Sequence, residues 1–127
     1  MEEDHAGEFI VIDGLPNDVL ALDARGLIAS VDYEKTLIPL VEKKLERHNK
    51  LKLLLVAGTY FDGFSEGAIW DDARFGMSHL TTFSKMALVT DVDWLRRSAK
   101  LFGILLPTEL MVFNLADLND AKEWIAA

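Results

Sequence analysis

The spacing of apolar positions changes several times along these 127 residues, and each change marks an element. Residues 8–12 and 19–27 are short runs rich in Phe, Ile, Val and Leu, separated by Asp13-Gly14-Leu15-Pro16-Asn17-Asp18, a string of turn formers. Two strands joined as a hairpin are predicted, so the sheet is expected to begin antiparallel. From Ser30 the apolar spacing becomes helical and continues toward His48. Ser30 is a candidate N-cap, with Asp32 and Glu34 in the first turn and Lys43, Lys44 and Arg47 near the end, the charge order a helix dipole favours. Pro39 interrupts this stretch. A proline inside a helix removes a hydrogen bond and kinks the chain, so either residues 30–38 form a separate short turn or the helix restarts near Thr36.

Residues 51–57 are an almost unbroken apolar run, as expected of a strand buried on both faces of a parallel sheet, and are read as the central strand. Helical spacing follows over 65–81 through Ala68, Ile69, Asp72, Ala73, Gly76 and Leu80. A strand at 86–89, a helix at 92–106, a strand at 110–113 and a final helix at 117–125, with Asp117 as candidate cap, complete the chain. Strands alternating with helices in this way predict an α/β fold with a mixed, mostly parallel sheet of about five strands, the N-terminal one antiparallel, covered by about four helices. The length suits a single domain over 1–127, and 50% apolar residues are enough to fill its core.

Residues 58–75 carry Tyr60, Phe61, Phe64, Trp70 and Phe75 around Gly58, Gly63 and Gly67 and beside Asp71-Asp72. The first part, directly after the central strand, reads as a loop. Loops run over the surface, and rings left there expose a large apolar area, so these rings either cap the core or line a recess for a ligand or membrane. The stretch Gly58-x-x-Phe61-x-Gly63-Phe64-x-x-Gly67-Ala68-x-Trp70-Asp71-Asp72-Ala73, followed by Val89-Thr90-Asp91-x-x-Trp94 and Lys100-Leu101-Phe102-Gly103, resembles the SpoIIAA-like family, small bacterial proteins whose fold is akin to STAS and CRAL-TRIO domains. The resemblance runs from Ile10 to Trp124. It implies a STAS-like fold and no assigned enzyme activity; the fold relatives include anti-sigma-factor antagonists, which bind proteins, and CRAL-TRIO domains, which carry lipids. The antagonists hold a phosphorylatable serine in an Asp-Ser motif at the turn after the central strand. Here that turn reads Asp62-Gly63-Phe64-Ser65-Glu66-Gly67, so Ser65 is a candidate phosphosite by position while the motif is missing; as a helix N-cap, Ser65 needs no kinase.

Catalytic constellations are not evident. Asp71 and Asp72 are adjacent on the expected helix and diverge by about 100°, so they do not converge on one ion or proton. His79 lies two turns beyond Asp72, about 10 Å along the axis, too far for a shared metal or base. With no cysteine and no histidine cluster, no metal site is expected. The serine-hydrolase elbow, the Walker loop and the dinucleotide fingerprint are all missing, so no cofactor and no enzyme activity are expected. A net charge of −8 and a pI near 4.7 repel phosphate backbones and argue against nucleic acid as a partner. The polar start Met1-Glu2-Glu3-Asp4 carries no secretory pattern, and a cytoplasmic location is expected.

Plotted at 100° per residue, helix 92–106 places Trp94, Leu95, Ala99, Leu101, Phe102, Leu105 and Leu106 on one broad face, with Arg96, Arg97 and Lys100 opposite and Ile104 among them. Residues 94–106 hold those three cations and no acid. Either the apolar face simply packs on the sheet, or the helix adsorbs weakly to an anionic bilayer through Arg96, Arg97 and Lys100, at low ionic strength and on acidic lipid only, the binding vanishing toward physiological salt. The leading functional expectation is a binding module for a small apolar or lipid-like ligand, held in a recess walled by Tyr60, Phe61, Phe64, Trp70, Trp94 and Phe102, with Asp71 and Asp72 as its polar groups. The second is a STAS-like protein-interaction module without a small ligand, forming a homodimer through the same surface.

Overall fold

Leu51 to Val56 lie in the middle strand of a five-stranded sheet, where a run apolar on both faces belongs. The computed structural model describes residues 7–68, 74 and 81–127. Its strands are β1 (Glu8–Val11), β2 (Val19–Ile28), β3 (Leu51–Phe64), β4 (Phe83–Thr90) and β5 (Glu109–Phe113), in the spatial order β1-β2-β3-β4-β5. As expected, β1 pairs antiparallel with β2, through registers such as Phe9 with Ala24, and the other three pairings are parallel.

The helical elements are α1 (Ser30–Asp32), a π-helical turn (Tyr33–Leu37), α2 (Ile38–Leu45), α3 (Asp93–Leu105), a 3₁₀ turn (Leu115–Asp117) and α4 (Leu118–Ala126). Parallel connections are right-handed, so when strand order equals chain order every crossover passes over the same face of the sheet. The packing follows that rule. Tyr33, Leu37 and Val41 from the first crossover, Ala68 from the second and Leu95 from the third share one core with Leu20, Leu22, Ala24, Leu53 and Phe61. On the opposite face, Ala121 and Ile125 of α4 pack on Val19, Ala21, Leu54, Val56, Ala87 and Val89.

Two local expectations are corrected. The N-cap of α1 is Ala29 rather than Ser30, because the buried carboxylate of Asp32 accepts the Ala29 N–H at 2.8 Å and ties the helix start from within its first turn. Pro39 causes neither of the two expected breaks. The chain widens into the π-helical turn just before it, with the Ile38 N–H donating five residues back to Tyr33 O, and this makes room where the proline ring would strike a regular turn.

The segment read as an aromatic loop is strand. β3 runs for 14 residues to Phe64 and pairs with the end of β2 through Gly26 with Phe61, Leu27 with Gly63 and Ile28 with Phe64. Residues 58–60 stand opposite Arg25 alone, a bulge that swells β3 before pairing resumes. Beyond it, Thr90 ties three elements together. Fully buried, its hydroxyl donates to Ala57 O at 2.7 Å and accepts the Val92 N–H at 3.1 Å, joining β3, β4 and the approach to α3. Thr90→Val keeps the shape but strands a buried carbonyl and a partly buried N–H; urea denaturation is expected to show a loss of about 2 kcal/mol, whereas an unchanged midpoint would show that water replaces the hydroxyl there.

Candidate functional site

The site is assembled where the end of β3 meets the first turn of α3. The ring of Phe61, buried in the core, lies 5.3 Å from Phe64 in an edge-on arrangement and 6.5 Å from Trp94. Three of the expected wall residues therefore meet. Tyr60 does not join them: it points to the opposite face, largely exposed, with the Arg25 guanidinium 5.6 Å above its ring. Phe102 stands two turns along α3 from Trp94, about 12 Å by helical rise, and is exposed. The recess is therefore not walled as expected by Tyr60 and Phe102, and cavities of about 250 and 490 Å³ lie elsewhere on the surface. Trp70, Asp71, Asp72 and His79 fall outside the described residues.

Ser65 begins the turn at 66–68. Its hydroxyl accepts the Ala68 N–H at 3.1 Å and its own N–H donates to Ile28 O at 2.8 Å, the geometry of an N-cap. Gly67 passes so close to Ser30 that a Cβ there would collide with the Ser30 hydroxyl, which draws the start of this crossover against the start of α1.

Helix α3 buries none of its residues fully. Its hold on the sheet is polar and close rather than greasy. Arg96 is partly buried and its Nη1 donates to Thr90 O and Phe113 O, 2.9 Å each, satisfying carbonyls at the ends of β4 and β5. Gly103 lets the helix backbone press on β5, where a Cβ would come within 2.9 Å of Leu110 Cδ2. The expectation that Arg96 lies opposite the sheet with Arg97 and Lys100 is thus corrected: its guanidinium finds two carbonyls underneath, and the helix turns to meet them. That rotation leaves Trp94 50%, Leu101 66%, Phe102 61%, Ile104 80% and Leu105 75% exposed. Of the other cations, Arg97 pairs with Asp93 at 2.6 Å, both side chains largely in water, and Lys100 is exposed. The apolar stripe is what the helical wheel misassigned. One signal was present, since Ile104 among the cations means that α3 has more apolar residues than one sheet-facing side can hold.

Among the described residues no group of His, Cys, Asp and Glu could hold a metal ion, and no helix is long and apolar enough to cross a membrane. The SpoIIAA-like family model matches residues 19–126, and the chain belongs to that family. It is similar to the crystal structure of an uncharacterized protein of the DUF3478 family, with a SpoIIAA-like fold, from Shewanella loihica PV-4: 26% identity, 94% of each chain covered and a TM-score of 0.77. No functionally curated protein matches the chain.

Two outcomes test these assignments. Arg96→Met is expected to cost about 2–4 kcal/mol in stability by uncovering two carbonyls, while Arg97→Gln and Lys100→Gln stay within about 0.5 kcal/mol; three equal values in denaturant titrations would refute the clamp. Ser65→Asp should match the wild type in thermal stability because aspartate caps equally well, and Ser65→Ala should lose about 1 kcal/mol. A partner complex that survives the alanine but dissolves with the aspartate would mark Ser65 as a phosphoswitch instead.

Proposed function

We propose that the protein is a non-enzymatic binding module that takes a small apolar or lipid-like ligand on the outward face of α3, beside the Phe61, Phe64 and Trp94 rings, and that the same face contacts membranes peripherally. The observation that carries this reading is the exposure of Leu101, Phe102, Ile104 and Leu105, all above half, on a single helix. Scattered apolar residues on a surface are ordinary, but several large ones gathered on a helix mark a place where something else binds. Each such side chain gains about 1.5–3 kcal/mol on full burial, so even partial coverage by an acyl chain stabilises a complex appreciably. Apolar burial, not charge, is the main driving force. Arg96 is occupied by the strands and Arg97 shares its charge with Asp93, which leaves Lys100 to add about 1 kcal/mol at an anionic surface.

A second reading, a STAS-like protein-interaction module that dimerises through this face, is favoured by β5, which ends the sheet beside α3 with one edge unpaired among the described residues. Native mass spectrometry separates the two: a bound lipid or fatty-acid mass supports the ligand reading, and a stable dimer free of adducts supports the interaction module. Vesicle co-sedimentation then tests the surface itself. Wild type is expected to pellet with both neutral and acidic vesicles and to lose little in salt, whereas Leu101→Glu/Leu105→Glu, at exposed positions, should weaken binding at least about tenfold. Equal pelleting of the two proteins, or adduct-free monomers that ignore vesicles, would sink the proposal.

A further inference from the structure

We propose that the cavity over the bulge of β3, on the sheet face opposite α3, binds a small zwitterion, a free α-amino acid with an apolar side chain. The cavity, of about 250 Å³, is smaller than pockets for drug-sized ligands and of a size for a metabolite. It lies on the face of the sheet against the bulge of β3, where residues 58–60 stand opposite Arg25 alone.

Its polar groups are already oriented. Arg25 Nε donates to Asp23 Oδ2 at 2.9 Å, and the guanidinium is stacked over Tyr60. Both Nη groups of Arg25 and Oδ1 of Asp23 have no partner among the described residues. The pair is partly open to water, 45% exposed for Arg25 and 21% for Asp23, so a ligand can reach it. Glu8 stands opposite Arg25 in the β1–β2 ladder, on the same face. One carboxylate is therefore bonded to the guanidinium, and a second acidic residue stands across the ladder from it.

That balance decides the ligand class. A simple anion would lie beside the Asp23 carboxylate with Oδ1 left unpaired, and a simple cation would leave the Arg25 fork unused. A molecule carrying both charges satisfies both groups: its carboxylate takes the two Nη donors and its ammonium takes Asp23 Oδ1. Val56, Leu115 and the Tyr60 ring line the rest of the cavity and suit an apolar side chain. Gly58 leaves the floor open, since a Cβ there would meet only Leu115 Cδ2, at an ordinary 3.9 Å, and Gly58 is not among the glycines with positive φ. This site is independent of the α3 face.

The test is a titration of isotope-labelled protein followed at the amide resonances of Gly58, Thr59 and Tyr60. The probes are leucine, isocaproate, which lacks the ammonium, and isoamylamine, which lacks the carboxylate. Leucine should saturate the shifts, and each truncated analogue should bind at least about tenfold more weakly, since a charged hydrogen bond is lost. Gly58→Leu, which fills the cavity, and Arg25→Gln, at an exposed pair, should each lose leucine binding by about the same factor while the melting temperature stays that of wild type. Isocaproate or isoamylamine binding as well as leucine would overturn the proposal. So would an absence of shifts with leucine, or shifts that persist in Arg25→Gln.

Discussion

The structure depends most on one constraint, the fixed hand of parallel crossover connections acting on a sheet whose strand order is the chain order. Every crossover is then driven to one face. Among the described residues the other face receives the chain beyond β5, namely the 3₁₀ turn and α4, with Ile12 and Leu15 of the β1–β2 connection beside them. A single helix with its side chains is about 10–12 Å across, whereas five strands span about 19 Å between the outermost axes. Helix α4 therefore closes the core over β3 and β4 and leaves the flanks open. It is held there by Lys85, which donates to Trp124 O at 3.0 Å and lies over the Trp124 ring, and by Lys52, which donates to Ala127 O at 2.8 Å. The sequence of β2 matches this partial cover: its first four residues are buried on both faces, and from Asp23 onward the face toward α4, with Asp23, Arg25 and Leu27, opens to water.

On the crowded face the order of attachment matters. The first crossover fills its share of the core with Tyr33, Leu37 and Val41, while the third contributes only partly buried side chains. Helix α3 is secured by two charged hydrogen bonds from Arg96 and by the close approach at Gly103. Bonds of that kind, at about 1.5–3 kcal/mol, replace much of what apolar burial would supply, and they fix the rotation of the helix about its axis. Because the guanidinium must face the ends of β4 and β5, Leu101 and Leu105 must face away. The apolar stripe is a geometric consequence of where the cation is held.

The strands and the antiparallel start were legible because an unbroken apolar run such as 51–57 and a 3.6-residue period such as that of 92–106 differ plainly, although β3 runs seven residues past its expected end. The family motif was legible as well. What escaped were features set by contacts distant in sequence. Glycines at 58 and 63 looked like loop formers, yet β3 continues through them because β2 is long enough to pair with it. Ser30 and Asp32 are both capable caps, and only the path of the chain after Ile28 decides for Asp32. Composition shows that Arg96 is positive; whether it faces water or two strand ends depends on where β4 and β5 stop. The wall residues Tyr60 and Phe61 were grouped by adjacency, but neighbours on a strand point to opposite faces.

Phe61 and Phe64, three residues apart, would also point to opposite faces of a regular strand, yet their rings touch. The cause is the second irregularity of β3, where Gly26 to Leu27 in β2 spans one step while Phe61 to Gly63 in β3 spans two. Gly63 adopts φ 115°, a conformation closed to most side chains, and the extra residue flips the alternation so that Phe64 returns to the side of Phe61. The earlier bulge does the opposite. From Ala57 to Phe61 the strand takes four steps against two in β2, an even excess that preserves the alternation and keeps Phe61 in the core and Tyr60 outside. The two irregularities together sort the aromatic residues of β3: one ring goes to Arg25 on the open face and two go to Trp94 under α3, so a single strand end serves two surfaces of different chemistry.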